Sequence, residues 1–303
     1  MALVVCLAVG LGACAAVGPG EGSDPGRSLG VREASAPGVG PRDEVVAAAD
    51  RAQRVSSGRF GLQVSLGREG AMVASTTVEG VFDHDAGASE TVVDLASLRA
   101  QLPAEAGPIA SEGLGDELIV RIVDGTVYLY VGTADREWVL YPVDAAQASR
   151  TLGLARPDRF LQVLESVGDE VTVTEAPPLD GEPTRRYSGW IDPEGFSELS
   201  ADGAGGALDQ MADSLPPGLL DRIVRFDAWI GDDGVARRVV IELDREAVFD
   251  LAERVEGPQA LDAALPVMRY EVDWFDLDTP VRIEPPPPDQ VSVIDLDAIR
   301  PPG

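Results

Sequence analysis

Cys14 carries the clearest chemistry in this chain of 303 residues, as the last residue of the sequence Leu11-Gly12-Ala13-Cys14. A cysteine that follows small residues at the end of a short apolar run is typical of a lipobox, where a secretory signal is cut and the new N-terminal cysteine receives lipid. The run over residues 1–13 is too short to span a bilayer, which needs about 20 apolar residues. The pattern predicts a lipoprotein signal peptide over 1–13 and acylation, for example by palmitate, of Cys14.

The expected mature N-terminus decides where the protein would lie. A chain that begins at Cys14 would be extracytoplasmic and anchored to the cell membrane by its lipid. No arginine or lysine precedes the apolar run, although signal peptides begin with a positive segment. We therefore expect Met1 to be an internal methionine of a longer gene. An arbitrary apolar N-terminus with a chance cysteine is the alternative.

The other residue types with chemical potential point away from catalysis. Cys6 is the only cysteine besides Cys14, and every basic residue is arginine, so thiol and lysine chemistry are absent from the body. His84 is the only histidine and is expected to be a solvated loop residue. Asp273, Asp276 and Asp278 lack the spacing of a calcium loop and are expected to be exposed acids on a strand. We expect no catalytic residue, no metal and no cofactor.

The charge balance limits the partners. The sequence has 24 Lys+Arg residues against 52 Asp+Glu, a net charge of -28. The excess of acidic residues argues against nucleic acid as a partner, because proteins bind nucleic acid by neutralising its phosphates. It also argues against docking on anionic lipid headgroups. High genomic GC content and solubility alone would also explain it. A pair of carboxylates for hydrolysis stays open, because the many acids single out no pair.

Composition divides the chain into a tether and a body. Residues 14–42 hold the lipidated cysteine and a Gly/Pro/Ser-rich stretch that cannot bury a core. Residues 43–303 are expected to form a single domain. A helix is predicted over Asp43–Ser56 with Asp43 as its cap, and a second over Pro157–Val167. Further short helices are predicted within Glu194–Leu215 and Ala247–Val255.

Most of the body has the period-two alternation of half-buried strands. Glu117–Val131 contains Asp124-Gly125 between two β-rich runs, which is the strongest short-range signal of a hairpin. Ile223–Leu243 is a second hairpin, and tight turns throughout predict an antiparallel sheet of about ten strands. The proline-rich tail, with Pro285 to Pro288, is expected to be extended and not to lie in the middle of the sheet. One further strand is predicted to start at Arg59. The remaining predicted strands are Val73–Phe82, Glu90–Leu95, Arg136–Tyr141, Glu170–Glu175, Thr184–Ile191 and Met268–Leu277.

The alternating apolar residues define one predicted buried face. This face could be an ordinary packed core or the lining of a cavity for acyl chains, and parity alone does not separate the two. The residues predicted to line a lipid cavity are Leu62, Val64, Leu118, Val120, Ile122, Val127, Leu129, Leu161, Leu164, Phe226, Ala228, Ile230, Val239 and Ile241.

Three segments together resemble one family, the LppX/LprA/LprF/LprG lipoproteins of actinobacterial type. They are Leu179-Asp-Gly-Glu-Pro-Thr-Arg-Arg-Tyr187, Phe226-Asp-Ala-Trp-Ile-Gly-Asp-Asp-Gly-Val-Ala-Arg-Arg238 and the closing segment Tyr270–Pro287. Such proteins are similar to LolA-type carriers. The resemblance implies an α+β fold, a strongly curved antiparallel β-sheet (half-barrel) with helices packed on its concave side. It also implies a hydrophobic cavity that holds lipid or glycolipid acyl chains.

The expected function is a lipoprotein that binds a lipid or lipoglycan and carries or presents it within an actinobacterial-type cell envelope, without catalysis. Its expected partners are acyl chains and its own membrane, with an envelope transporter as a further candidate. The alternative is a non-catalytic interaction or sensor module with a filled β core. A third hypothesis, an acid-dependent hydrolase, would require two close inward carboxylates with raised pKa values.

Overall fold

The computed structural model describes residues 40–68, 71–101, 115–130, 138–141, 158–192, 224–243 and 267–293. The predicted signal peptide, Cys14 and most of the tether lie outside the described residues. The short helices predicted within Glu194–Leu215 and Ala247–Val255 lie outside them as well. The described residues form one large, open sheet of twelve strands with few short helices.

The strands follow one another along the chain with only short helices between them. They are β1 Ser57–Arg68, β2 Ala71–Asp83, β3 Ala88–Asp94, β4 Glu117–Val123, β5 Thr126–Tyr130, β6 Trp138–Tyr141, β7 Thr172–Leu179, β8 Glu182–Ile191, β9 Val224–Gly231, β10 Ala236–Leu243, β11 Val267–Phe275 and β12 Val291–Val293. The helices are α1 Pro41–Gln53, α2 Leu95–Gln101 and α3 Asp158–Val163, and 3-10 turns cover Leu164–Ser166 and Pro288–Gln290.

The sheet has the order β12-β6-β5-β4-β3-β2-β1-β11-β10-β9-β8-β7. Neighbouring strands are antiparallel except β12 and β6, which are parallel. The central strand β1 pairs with β2 on one side and with β11, more than 190 residues later in the chain, on the other. The predicted fold class, an antiparallel sheet with a few helices, is confirmed.

Two tight hairpins depend on the dipeptide Asp-Gly. Asp124 and Gly125 have φ values of 49° and 73°, and Asp180 and Gly181 have values of 50° and 86°. A type I′ turn requires positive φ at both central positions, which aspartate tolerates and glycine adopts freely. The turn at Asp124 pairs Val123 with Thr126, as the sequence predicts.

The hairpin of β9 and β10 is wider. Residues 232–235 link the two strands, and the N–H of Gly234 donates to the carbonyl of Gly231 at 2.8 Å. A register irregularity lies between Ala236 and Arg238. Ala228 still pairs with Val239, so the apolar residues of both strands keep the predicted common face.

Helix α1 begins earlier than predicted, and Asp43 is not its cap. The N-cap is Gly40, which has no capping side chain, and Pro41 is the first helical residue. Proline suits this position because its φ is already helical and the first N–H has no partner in the helix. Asp43 lies in the first turn, where a negative charge is favourable near the helix N-terminus.

Helix α2 was not predicted, since Leu95 was assigned to the end of a strand. The strand ends at Asp94, whose carboxylate accepts the N–H of Ser97 at 2.8 Å. This is an N-cap, which satisfies one of the free N–H groups at the start of the helix. The hydrogen bonds from the Ser97 side chain and backbone lower the pKa of Asp94.

The chain after β11 differs from the prediction in two ways. Asp276 and Asp278 do not lie on a strand, because β11 ends at Phe275 and both aspartates have positive φ in the turn that follows. The carboxylate of Asp278 accepts the N–H of Ser56 at 3.1 Å. The proline stretch does not lie in the middle of the sheet, as predicted, and Val291–Val293 adds the unpredicted strand β12 at the sheet edge.

Two glycines let aromatic rings of the buried face lie against the sheet. Phe60 pairs with Gly80, and Phe226 pairs with Gly189. A Cβ atom at Gly80 would lie 2.7 Å from the carbonyl oxygen of Glu90 and closer still to the Phe60 ring. A Cβ atom at Gly189 would lie 2.8 Å from the Phe226 ring. The packing of the two phenylalanine rings therefore requires glycine at both positions.

The substitution Gly80→Ala is expected to lower the free energy of unfolding by about 1–3 kcal/mol, as overpacking a core does. Gly61→Ala is the matched control in the neighbouring strand, because its Cβ would meet its nearest atom at 4.0 Å. Urea unfolding of both variants measures the effect. Equal stability of the two variants would contradict this account of the Phe60 ring.

Candidate functional site

The candidate site is the apolar face of the sheet, to which the structure brings all fourteen predicted residues. Thirteen are buried and belong to one hydrophobic cluster, and Val64 is half-buried against that cluster. The members lie on β1 (Leu62, Val64), β4 (Leu118, Val120, Ile122), β5 (Val127, Leu129), α3 (Leu161), the following 3-10 turn (Leu164), β9 (Phe226, Ala228, Ile230) and β10 (Val239, Ile241). The prediction of a common buried face is correct, whereas the lipid role of these residues stays a prediction.

The strand register makes this face continuous. One row of paired residues crosses eight strands without a charged side chain. With strands about 4.8 Å apart, the row is about 34 Å long. From β8 to β4 its members are Tyr187, Ala228, Val239, Val272, Leu62, Val78, Val93 and Leu118.

Helix α1 covers the part of this face near β9 and β10. The side chains that it buries are mostly small, because Ala48, Ala49 and Ala52 accompany Val45. Small residues let the helix axis approach the sheet closely. A helix is about 10 Å wide, so α1 spans about two strands of the row.

Helix α3 and the 3-10 turn after it pack beside α1. The ring of Phe160 on α3 contacts that of Tyr270 on β11, with centroids 5.5 Å apart. Burial raises the pKa of Tyr270 to about 12. The two helices therefore lie over the part of the apolar face formed by β9, β10 and β11.

A buried polar contact fixes the start of α1 on β8. The hydroxyl of Tyr187, which is fully buried, donates to the carboxylate of Glu44. Arg185 places its Nη1 atom 3.5 Å from the same carboxylate and its guanidinium 5.4 Å from the Tyr187 ring. Burial, followed by the bond to Glu44, raises the pKa of Tyr187, so this phenol stays a neutral donor at physiological pH.

Two arginines attach α1 to the sheet at both ends. Near its start, Nε of Arg42 donates to the carbonyl of Val167 at 2.8 Å. Near its end, Nη1 of Arg51 donates to the carbonyl of Gly234 at 3.1 Å. Since both acceptors are backbone atoms next to strands β8 and β9, the position of the helix over the apolar face is fixed by polar contacts as well as by packing.

The predicted set omits several buried residues of this face, among them Val78, Val93, Val272, Tyr187, Thr91 and Phe60. Tyr187 and Thr91 have the parity of the face on β8 and β3, and Phe60 has it on β1. The period-two pattern already contained Phe60. Tyr187 and Thr91 are not predicted as buried residues because their side chains are polar. Their position in the alternating pattern indicates the buried face, whereas their polarity favours exposure to solvent.

The opposite face of β8 to β11 is polar and cross-linked by arginines. Arg186 donates to both oxygens of Asp227 at 3.0 and 2.7 Å. Arg238 pairs in the same bidentate manner with Asp273. Burial raises the pKa of Asp273, and the hydrogen bond from this arginine offsets part of that rise. The ring of Trp229 lies between the two guanidiniums, at 5.3 and 5.8 Å. These carboxylates therefore serve as arginine partners.

His84 lies exposed in the turn after β2, with its ring 4.7 Å from that of Phe82. Within the part of the chain that the structure describes, no group of three or more His, Cys, Asp or Glu side chains could hold a metal ion. No helix in the same ranges is long and apolar enough to cross a bilayer.

The architecture is similar to that of solved lipoproteins. No protein-family model and no curated protein sequence match the chain. LppX of Mycobacterium tuberculosis aligns with a TM-score of 0.46 and 13% identity, over 80% of this chain and 98% of LppX. LprF of Mycobacterium bovis aligns with a TM-score of 0.45 and 14% identity, over 81% and 96%. A LolA superfamily protein of Nitrosomonas europaea aligns with a TM-score of 0.26 and 7% identity, over 82% and 96%. At such scores no ligand and no residue role follows from the similarity.

Glu44→Ala is expected to lower the free energy of unfolding by about 1–3 kcal/mol, because it leaves the Tyr187 hydroxyl buried without its acceptor. Asp43→Ala removes an exposed acid of the same turn and is expected to change stability by less than about 0.5 kcal/mol. Adding Tyr187→Phe to Glu44→Ala should restore part of the loss. Denaturant unfolding of the three variants tests this, and additive effects of the two substitutions would refute the contact.

Proposed function

We propose that this protein is a membrane-anchored extracytoplasmic lipoprotein that binds acyl chains of a lipid or lipoglycan on its apolar face. It would carry or present this lipid within the cell envelope. The observation that carries the proposal is the extent of the apolar face. Its central row crosses eight strands, whereas α1 and α3 lie over β9, β10 and β11. The described helix that contacts β2 and β4 is the short α2, whose Leu95 joins the same apolar cluster.

Within this proposal the acyl chains bind over β2 to β5. The residues of these strands that face the apolar side include Val78, Val120, Ile122, Val127 and Leu129. The chain itself already buries all of them, so the acyl chains would enter the interior on this side of the sheet. Burying one methylene group contributes about 0.8 kcal/mol, so a chain of about 16 carbons could contribute on the order of 10 kcal/mol before the cost of ordering it. A lipid with two chains would therefore bind firmly without any ionic contact.

The anchor and tether set the distance to the source of the cargo. Residues 15–42 would connect the body to an acylated Cys14. A Gly-rich coil of this length reaches about 30 Å on average. A body held at that height could contact its own membrane, so a lipid extracted there needs no second docking protein.

A filled β core in an interaction or sensor module is the second candidate. It is favoured by the close packing of Phe60 over Gly80 and of Phe226 over Gly189, which closes two places on the face with the chain's own side chains. In that case the apolar face would serve stability alone.

Bound lipid is tested with the Cys14→Ser chain, in which no acyl anchor can be confused with cargo. We expect native mass spectrometry and solvent extraction to recover lipid from it. Val120→Trp, on the apolar face, should reduce the recovered lipid at least about tenfold, which corresponds to about 1.4 kcal/mol. Ile119→Trp is the matched control, because this neighbour on β4 points to the opposite face.

A thermal melt of both variants confirms that they are folded. Recovery of equal lipid from Val120→Trp and Ile119→Trp would place the ligand elsewhere. Recovery of no lipid from the Cys14→Ser chain after expression in several hosts would favour the filled core.

Acylation is tested by mass spectrometry of protein extracted from membranes. The wild-type chain is expected to begin at Cys14 and to carry lipid there. Cys14→Ala should abolish both processing and lipid, while Cys6→Ala, which removes the other cysteine, should retain both. A mature N-terminus at any other residue would exclude the lipobox.

A further inference from the structure

Thr91 is a polar residue in the middle of the apolar face. It lies on β3, opposite Gly80 of β2 and Val120 of β4, and its exposed fraction is 1%. Along its own strand the next residue on the same face is Val93. Threonine is common in strands for its branched shape, but here its hydroxyl is also taken out of water.

The Thr91 hydroxyl has no hydrogen-bond partner. Other buried polar residues among the described ones are satisfied, as when Ser57 donates to the carbonyl of Thr279 at 2.9 Å and Thr184 to that of Pro177 at 3.1 Å. The other unpaired buried atom is Nε of Arg237, but that guanidinium already donates to Asp233 through Nη2. Thr91 is therefore a buried hydroxyl that contributes no bond to the fold.

The surroundings of Thr91 explain why the protein supplies no acceptor. On one side the missing side chain of Gly80 is replaced by the ring of Phe60, and on the other lie Val120 and, beyond it, Leu129. None of these side chains carries an oxygen. Paired residues have Cβ atoms about 5 Å apart, so these are the side chains directly beside the hydroxyl, and a group that enters the face could supply the missing acceptor.

We propose that the Thr91 hydroxyl donates a hydrogen bond to an ester carbonyl of a lipid bound on the apolar face. This inference rests on the proposed function and narrows its ligand to ester-linked acyl lipids. A carboxylate or phosphate acceptor would be too costly to bury here without a cation. Arg121, which follows Val120 on β4, pairs with Glu90 on the opposite face. An ester carbonyl is neutral, accepts one bond and adjoins the chain that the apolar residues would hold.

The test uses two phosphatidylglycerols with the same 16-carbon chains, one with ester and one with ether links, competing for the Cys14→Ser chain in native mass spectrometry. We expect the ester lipid to be preferred about 5- to 10-fold, as one buried hydrogen bond allows. Thr91→Val, which has the same shape without the hydroxyl, should abolish the preference, and Thr91→Ser should retain it.

Thr76→Val is the matched control, because Thr76 lies on the same face of β2 but donates to the carbonyl of Asp94 at 3.4 Å. It should lower the melting temperature and keep the ester preference, whereas Thr91→Val should not lower the melting temperature. Binding of both lipids without preference, or a preference that survives Thr91→Val, would overturn the role of Thr91 alone. Binding of neither lipid by the parent chain would overturn this role together with the proposed function.

Discussion

A sheet of twelve strands must bury one of its faces, because alternate side chains on most of its strands are apolar and cost free energy in water. The polar side chains that alternate with the apolar ones lie on the opposite face. There, arginines bind aspartates and glutamates across β8 to β11. The small buried residues of α1, the glycines under the aromatic rings and the fixed ends of the helix all serve the same burial.

Local signals predicted most of the fold. The Asp-Gly turns at Asp124 and Asp180 follow from the backbone that the two residues can adopt, and each turn then fixed the register of its hairpin. The start of α2 was missed although Asp94 carries a capping side chain, since Leu95 also suited the strand pattern. The parallel edge strand β12 was missed because its partner β6 lies about 150 residues earlier, and no local pattern reports such a pairing.

The alternation of apolar and polar residues predicted which residues share the buried face, but no other property of the site. Alternation assigned residues such as Val120 and Ile230 to one face, and the structure places them in one cluster. Alternation does not predict which of the 24 arginines pairs with a given aspartate or glutamate. The bond between Asp227 and Arg186 is therefore visible only in the structure. The same holds for Glu44 and Tyr187, which meet from distant parts of the chain. Long-range polar contacts depend on the order of strands in the sheet.

The position of β1 has a consequence for how the protein forms. This strand holds the two halves of the sheet together, yet its second partner, β11, follows more than 190 residues later in the sequence. Pairings between segments so far apart are slow, because a long loop must close before any contact compensates for the lost entropy. The ribosome must release all the residues between these two strands before the centre of the sheet can close. Until then the nascent chain exposes an unpaired strand edge, on which a holding chaperone could act.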